Sequence, residues 1–366
     1  MRKSIVKILV LGVSLIFLTN TAYANEVPEL TVTDATNRAI RNSSQIRAAE
    51  DNILNVSEEE ARARDVLWNN PMAGTADVIR FQTSMLALDL ERAINNTSIA
   101  MQRAGAEILI TNHFANIIMA QNELALFDEN LRILEREVEI ANIRYNLGLA
   151  GSADVQSARH NLSVTVNNRA NLQNSLDASF RELNRAMGVS HNSQNRVYDV
   201  ILDLEFEPMG DINLQRYINQ SVQNDARVQG NRGSLEISTF QLDNRMLMFD
   251  PMTGAVTPGQ QTRAQAELNV TQAERELSDT IQSVENSVID LYNQIRNLEL
   301  VITATEIQLA VMLQENAIVQ VHYSTGNITR LDVERSNLGV ANMQETLRRQ
   351  KINHSIMVMQ LTNPYL

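Results

Sequence analysis

Two stretches of this chain, far apart in sequence, share one unusual pattern of residues. Residues 144–162 read RYNLGLAGSADVQSARHNL, and residues 322–340 read HYSTGNITRLDVERSNLGV. Each has a tyrosine, a glycine three residues later, and Asp-Val six and seven residues after the glycine. The matched positions, from Tyr145 and Tyr323 onward, all lie 178 residues apart. A constant offset of this length predicts that the chain contains the same structural unit twice.

The prolines extend this offset towards the beginning of each unit. Pro28 and Pro208 lie 180 residues apart, and so do Pro71 and Pro251. The second pair also shares its context, PMAG in one unit and PMTG in the other. We therefore expect two structural repeats. The domains that follow are residues 1–24 as a signal peptide, 25–207 as the first repeat plus a connector, and 208–366 as the second repeat.

Within each repeat the apolar residues follow a helical spacing. Before the first shared pattern they recur in steps of three and four, at Leu124, Phe127, Leu131, Leu134, Val138, Ala141 and Tyr145. This spacing is typical of a coiled-coil seam. It predicts a long helix at about 83–146, on the order of 100 Å in length, and a shorter returning helix at 152–187. The predicted fold class is all-α, with long coiled-coil-like helical hairpins duplicated within the chain.

The shared pattern itself is suited to the tip of such a hairpin. Gly148 and Gly326 can end the long helix, because glycine adopts the left-handed backbone conformation without strain. The next helix can then begin at a hydroxyl residue followed by an acidic one. These pairs are Ser152 with Asp154, and Thr329 with Asp332.

The N-terminal sequence and the net charge limit the classes of protein to which this chain can belong. Residues 1–24 combine a basic start, an apolar run at 8–18 and the small-x-small sequence Ala22-Tyr23-Ala24, which predicts a cleaved signal peptide and export. The alternative is an uncleaved membrane anchor. The net charge of −12 argues against binding to nucleic acid. The chain has no cysteine, so neither disulfides nor thiolate metal sites are expected.

No residue pattern predicts an enzyme. The histidines are scattered, without a His-x-x-x-His pair or an acidic residue at metal-ligand spacing. They are His113, His160, His191, His322 and His354. The sequence contains neither a glycine-rich phosphate loop nor a nucleophile motif. We expect no catalytic residues, no metal and no cofactor.

Taken together, these features resemble the TolC family of outer-membrane efflux and secretion proteins. The resemblance covers nearly the whole chain after residue 24. It rests on RYNLGLAGSADV and HYSTGNITRLDV, on the opening helix LTVTDATNRAIRNSSQIRAAE, and on the repeated order of long and short arms. It implies a homotrimer whose helices form a tunnel. A periplasmic adaptor would dock at the tips, and substrates would arrive from an inner-membrane transporter. The tip residues that it assigns to partner binding are Tyr145, Gly148, Leu149, Asp154, Tyr323, Gly326, Asn327 and Asp332.

The family also has two outer-membrane strands in each repeat, and this chain departs from that pattern. Each transmembrane strand needs about 9–11 alternating residues. The segments 65–82 and 246–263 are too short for two strands, and Val78–Phe81 could form one short strand at most. We therefore expect little or no β-barrel. A further short strand is expected within 196–206, in the connector.

Two functions remain open at this point. The first is a TolC-like channel component in the outer membrane or periplasm. The second is a helical scaffold or spacer of the cell envelope without a pore. An acidic stretch near the first tip likewise has two interpretations, a solvated helix face or a lining near the tunnel entrance. Its residues are Asp128, Glu129, Glu135, Glu137 and Glu139.

Overall fold

A computed structural model describes residues 27–69, 74–193, 195–244, 262–363 and 365. These residues form eight α-helices and two short strands. The first four helices are α1 (Val32–Asn42), α2 (Ser44–Trp68), α3 (Thr75–Asn146) and α4 (Ser152–Ala186). The second four are α5 (Leu214–Asn224), α6 (Ala226–Asp243), α7 (Arg263–Ser324) and α8 (Arg330–Thr362). The strands are β1 (Glu29–Thr31) and β2 (Asp199–Ile201), and a 3₁₀ turn covers His191–Ser193. The predicted all-α fold of long hairpins is confirmed.

The same order of helices occurs twice along the chain. In each set a short helix leads into a second one through a capped kink, and a long helix is then followed by a shorter return. At the first kink, the hydroxyl of Ser43 accepts the amide of Ile46 at 3.2 Å. At the second, the carboxylate of Asp225 accepts the amides of Arg227 and Val228. Burial would raise the pKa of Asp225, but these hydrogen bonds and the Arg227 guanidinium hold it below its usual value.

Helix α3 is longer than the sequence predicted. Its 72 residues span roughly 110 Å. It begins at Thr75, where the amide of Gly74 donates to the carboxylate of Asp77 at 3.1 Å. Val78–Phe81 therefore lies within the first turns of α3. Not even the one short strand that the sequence allowed there forms, because the capped turn at Gly74 starts a helix directly. In the second repeat, the corresponding prediction falls largely on residues 246–261, which lie outside the described residues.

The two strands join the beginning of the first repeat to the connector. β1 pairs in parallel with β2, and Leu30 lies opposite Val200. Both of these side chains are buried, while their neighbours along each strand are exposed. The expected strand within 196–206 is thus present at Asp199–Ile201. Its partner β1, which consists of the three residues directly before α1, was not predicted.

Two apolar clusters hold the helices together away from the tips. The larger joins α1, α3, α4 and the connector, and Ile110, Phe114 and Leu183 are fully buried in it. The other joins α5, α6, α7 and α8 around Val228 of α6 and Ile295 of α7. Between them, Ile352 and Ile356 of α8 pack on Ile108 and Ala115 of α3. This last contact connects the first hairpin to the second.

The four long helices pack in the order α4–α3–α8–α7. α3 contacts both α4 and α8, while α7 contacts α8. The row therefore ends at α4 on one side and at α7 on the other. Within the described ranges, no helix combines the length and the apolar character needed to cross a membrane.

The burial pattern of α3 predicts the effect of two neighbouring substitutions. Ile110 is fully buried, whereas Leu109 is 49% exposed. Ile110→Ala should lower the free energy of unfolding by about 2–5 kcal/mol, because it leaves a cavity in the larger cluster. Leu109→Ala, the matched control, should cost about 1 kcal/mol or less. Urea denaturation followed by circular dichroism measures both, and equal losses would contradict the packing described for this face of α3.

Candidate partner-binding site at the hairpin tips

The first tip is a tight turn between α3 and α4. Gly148 has a φ of 71°, the left-handed conformation that glycine tolerates best. Its amide donates to the carbonyl of Tyr145 at 2.9 Å, and the amide of Leu149 donates to Arg144 at 2.8 Å. These two bonds form a Schellman motif, which satisfies carbonyls that the end of α3 would otherwise leave unpaired.

The second tip has the same geometry. Gly326 has a φ of 73°, its amide donates to Tyr323 at 3.0 Å, and the amide of Asn327 donates to His322 at 2.9 Å. A Cβ added at Gly148 or Gly326 would meet nothing within 4 Å. The requirement for glycine at both tips is therefore conformational and does not come from crowding. This matches the role that the sequence predicted for both residues.

The returning helices begin differently from one another. Thr329 caps α8 as predicted, since its hydroxyl accepts the amide of Asp332 at 3.3 Å and its own amide donates to the Asp332 carboxylate at 2.9 Å. The hydrogen bonds from the Thr329 hydroxyl and amide hold the pKa of Asp332 below its usual value. The prediction that Ser152 caps α4 is wrong. Gly151 is the capping residue, and its amide donates to Asp154 at 2.8 Å.

Apolar side chains stand exposed around both turns. Leu147 and Leu149 are each 67% exposed at the first tip, and Tyr145 is about half exposed. Tyr323 is exposed to a similar degree at the second. Val155 and Val333, one residue after each aspartate, are instead buried. Each tip thus presents apolar and polar groups to solvent on a turn closed by two backbone hydrogen bonds.

Two reciprocal ion pairs connect the hairpins near the tips. Arg335 of α8 donates to the carboxylate of Glu137 at 2.5 and 3.0 Å. The adjacent residues pair in the opposite sense, because Arg136 of α3 donates to Glu334 of α8. Further from the tips, Arg349 donates to Glu123 at 2.6 Å. We call the group formed by Arg136, Glu137, Glu334 and Arg335 the charge clamp.

The register of these contacts places the tips at different heights. The pairs Glu137–Arg335 and Glu123–Arg349 share one antiparallel register. Extended along both helices, this register brings Arg330, the first residue of α8, level with Asn142. α3 continues to Asn146 before it turns. The first tip therefore projects roughly one helical turn beyond the second.

The acidic stretch is divided between two roles. Asp128 accepts from Arg169 of α4 at 2.5 Å, and this guanidinium holds the pKa of Asp128 below its usual value. Glu137 belongs to the charge clamp. Glu129 pairs with Arg132 on its own helix, while Glu135 and Glu139 are exposed. The expectation of a solvated face thus fits the exposed members, whereas Asp128 and Glu137 join helices.

The structure places the eight predicted residues on the two tips, four on each. Sequence reasoning missed the charge clamp, although an adjacent Arg-Glu pair before the first turn and a Glu-Arg pair after the second were a visible signal. It also missed an acidic partner for His354. This fully buried histidine lies 3.2 Å from Glu299, which also accepts the amide of Met209. Among the described residues, no three or more ligating side chains could hold a metal ion.

The fold, but not the sequence, matches known proteins. No family model matches the chain, and neither does any curated protein sequence. The outer membrane protein VceC of Vibrio cholerae is 14% identical, with a TM-score of 0.65 over 90% of this chain and 95% of VceC. The CmeC outer membrane channel of Campylobacter jejuni is 11% identical, with a TM-score of 0.63 over 91% of this chain and 85% of CmeC. The open-state MtrE channel of Neisseria gonorrhoeae is 10% identical, with a TM-score of 0.52 over 91% and 88%. The chain has a TolC-like fold.

Substitution by alanine should change the free energy of unfolding in opposite directions at the tip glycines and at a glycine within a helix. Gly148→Ala and Gly326→Ala should each destabilise their hairpin by about 1 kcal/mol, because alanine is strained at positive φ. Gly339 lies within α8, where an added Cβ would make an ordinary 3.5 Å contact with Met312. Gly339→Ala should therefore stabilise the helix by up to about 1 kcal/mol. Denaturation curves of the three variants give the signs, and a stabilising change at either tip would refute the turn geometry.

The charge clamp should show coupling between the two hairpins. Arg335→Glu faces Glu137 with a like charge, so amide hydrogen exchange in the first turns of α8 should rise roughly two- to fivefold, as expected for a half-exposed pair. Adding Glu137→Arg should restore most of the protection. Arg132→Glu, which breaks a pair within α3 alone, is the control and should leave α8 unchanged. Additive effects of the two clamp substitutions would show that the pair is not coupled.

Proposed function

We propose that this protein is the channel component of an efflux or secretion assembly in the cell envelope. In this proposal three copies form a hollow helical tunnel, and a periplasmic adaptor docks at the tips. Substrates then arrive from an inner-membrane transporter. The TolC-like fold supports the general class. The observation that carries the assembly is an apolar face of α7 that no other part of the described chain covers.

This uncovered face runs along the tip-ward half of α7. Its residues recur in steps of four and three, and all are exposed: Leu300, Ala304, Ile307, Val311, Gln314, Ile318 and Val321. Leu300 is 71% exposed and Ile307 is 63% exposed. This is a second coiled-coil seam, distinct from the one through Ile302 and Thr305 that is buried. A regular apolar seam in solvent indicates a missing helical partner.

The internal repeat indicates which helix this partner is. α3 and α7 occupy equivalent places in the two repeats, and so do α4 and α8. Val311, 48% exposed on α7, is the repeat equivalent of Ile133, which is buried on α3. α3 covers its face with α8. The equivalent contact for α7 is with an α4 helix, and the α4 of its own chain lies at the far end of the row.

A second copy of the chain can supply that α4. A contact between the α7 edge of one subunit and the α4 edge of the next joins two different surfaces, so it repeats from subunit to subunit and forms a ring when the rotation between subunits closes. The number of three subunits comes from the resemblance to the TolC family. We infer export from the signal-like residues 1–24 and a place in the outer membrane or periplasm from the same resemblance.

The two tips are the parts of this assembly proposed to meet the adaptor. Their eight residues combine hydrogen-bonded turns with exposed apolar side chains, which suits docking to another protein. The helical start of α3 at Val78–Phe81 favours a second candidate. This is an envelope scaffold or spacer with the same fold but without a pore.

The size of the assembly distinguishes these candidates. Light scattering of the protein purified without detergent should give three times the chain mass, and negative-stain images should show rings with a central hole. Ile307→Asp, on the uncovered face of α7, should dissociate the ring by burying a charge in the seam. Gln308→Asp adds the same charge at the adjacent exposed position and should leave the ring intact. A single chain at all concentrations would favour the scaffold, and a stable Ile307→Asp trimer would refute this interface.

A further inference from the structure

We propose that a cleft between the connector and α8 binds an anionic amphiphile, a molecule with one negative headgroup and an apolar tail. The cavity has a volume of about 320 Å³. It is bounded by α3, α7, α8 and the connector residues that follow β2. This volume lies at the lower end of the range of small-molecule sites. The inference does not depend on the channel proposal.

Most of the side chains that line the cleft are apolar, and the polar ones, Gln344, Arg348 and Lys351, all come from α8. The apolar walls are formed chiefly by Ile118, Leu204, Phe206, Leu309, Leu347 and Ile352. The connector contributes through an alternating pattern, in which Leu202, Leu204 and Phe206 are partly buried while Asp203 and Glu205 are exposed. Its acidic side chains therefore lie on the side opposite the cleft, as expected for an extended segment. An aliphatic tail would find apolar surface here without meeting the connector's carboxylates.

Two cations line the same cleft, one helical turn apart on α8. The ammonium of Lys351 lies 2.7 Å from the carboxylate of Glu306 and 5.2 Å from the centre of the Phe206 ring. Arg348 also lines the cavity and is exposed. It makes no ion pair or hydrogen bond with any residue of the described ranges. Since Glu306 compensates only Lys351, the cleft retains one free positive charge.

Several described arginines lack an ion pair, and what distinguishes Arg348 is the apolar cleft beside it. The chain has a net charge of −12, and most of its described arginines near the hairpins are paired with carboxylates. An unpaired guanidinium beside an apolar cleft matches a ligand whose carboxylate can accept two parallel hydrogen bonds. The amphiphile we assign is therefore a free long-chain carboxylate. The tail would occupy the apolar walls and the headgroup would meet Arg348.

The position of the cleft keeps it apart from the uncovered edges of the molecule. It lies over the central helices α3 and α8, whereas the ends of the row are α4 and the outer face of α7. Leu309 contributes from the side of α7 that faces α8. A neighbouring subunit on either edge would therefore leave the opening between the connector and α8 uncovered.

Lys351 provides a direct probe, because it is the only lysine after residue 7. The full chain is treated with an amine-reactive ester, and labelling at each amine is followed by mass spectrometry. Dodecanoate, at concentrations that leave the helicity unchanged, should slow labelling of Lys351 several-fold. The α-amine and Lys3 and Lys7, where they are retained, are the internal reference and should not change. Acetate, which has no tail, and dodecyltrimethylammonium, which has the opposite charge, should not protect Lys351.

The variant Arg348→Gln tests the assigned headgroup contact. It should weaken protection by dodecanoate at least about tenfold, because it removes a charge-assisted hydrogen bond. The control Arg181→Gln removes one exposed charge from α4, away from the cleft. In this variant, dodecanoate should protect Lys351 as well as it does in the original chain. Equal protection by dodecanoate and dodecyltrimethylammonium would overturn the proposal. So would an unchanged response of Arg348→Gln, or no protection of Lys351 by dodecanoate at all.

Discussion

The packing of α3 between α4 and α8 is the contact on which the rest of the structure depends. A helix roughly 110 Å long cannot be stabilised by local hydrogen bonds and propensity alone, and it needs apolar neighbours along its length. α4 covers one side of α3 within the first hairpin, and α8 covers another from the second. α3 meets the second repeat in two places, through α6, where the hydroxyl of Thr97 donates to Gln229 at 2.7 Å, and through the longer α3–α8 interface. The apolar contacts around Ile352 and the charge clamp near the tips both lie in this one interface.

Local rules explain what the sequence could predict. The long helices follow from the spacing of apolar residues, and the tips follow from Gly148 and Gly326, whose positive φ angles are a property of single residues. Cap residues were predicted less well. Thr329 caps α8 as expected. The equivalent position at the first tip is Gly151, whose amide donates to Asp154, and Ser152 does not act as the cap. A backbone amide that donates to a carboxylate can begin a helix without a hydroxyl group, which the pattern of residue types does not reveal.

Features that depend on distant residues were not predictable in the same way. The pairing of β1 with β2 joins three-residue segments about 170 positions apart, too short to leave an alternating pattern. The charge clamp and the His354–Glu299 contact require the register between separate helices. That register is set by the packing of the helices against one another, and it cannot be read from the residue pattern of either helix alone. The assignment of the tips as a partner site remains a prediction, since it rests on the resemblance and not on a contact within the chain.

The different heights of the two tips bear on the shape of any closed ring. Three chains would contribute six turns to one rim, and these would alternate between a higher and a lower level around the circumference. The rim would then be stepped instead of flat. A partner with a level surface could contact three turns at once. A partner with six identical units would meet two different binding surfaces, one at each level. The stagger fixed by the α3–α8 register would thus impose threefold order on whatever binds there.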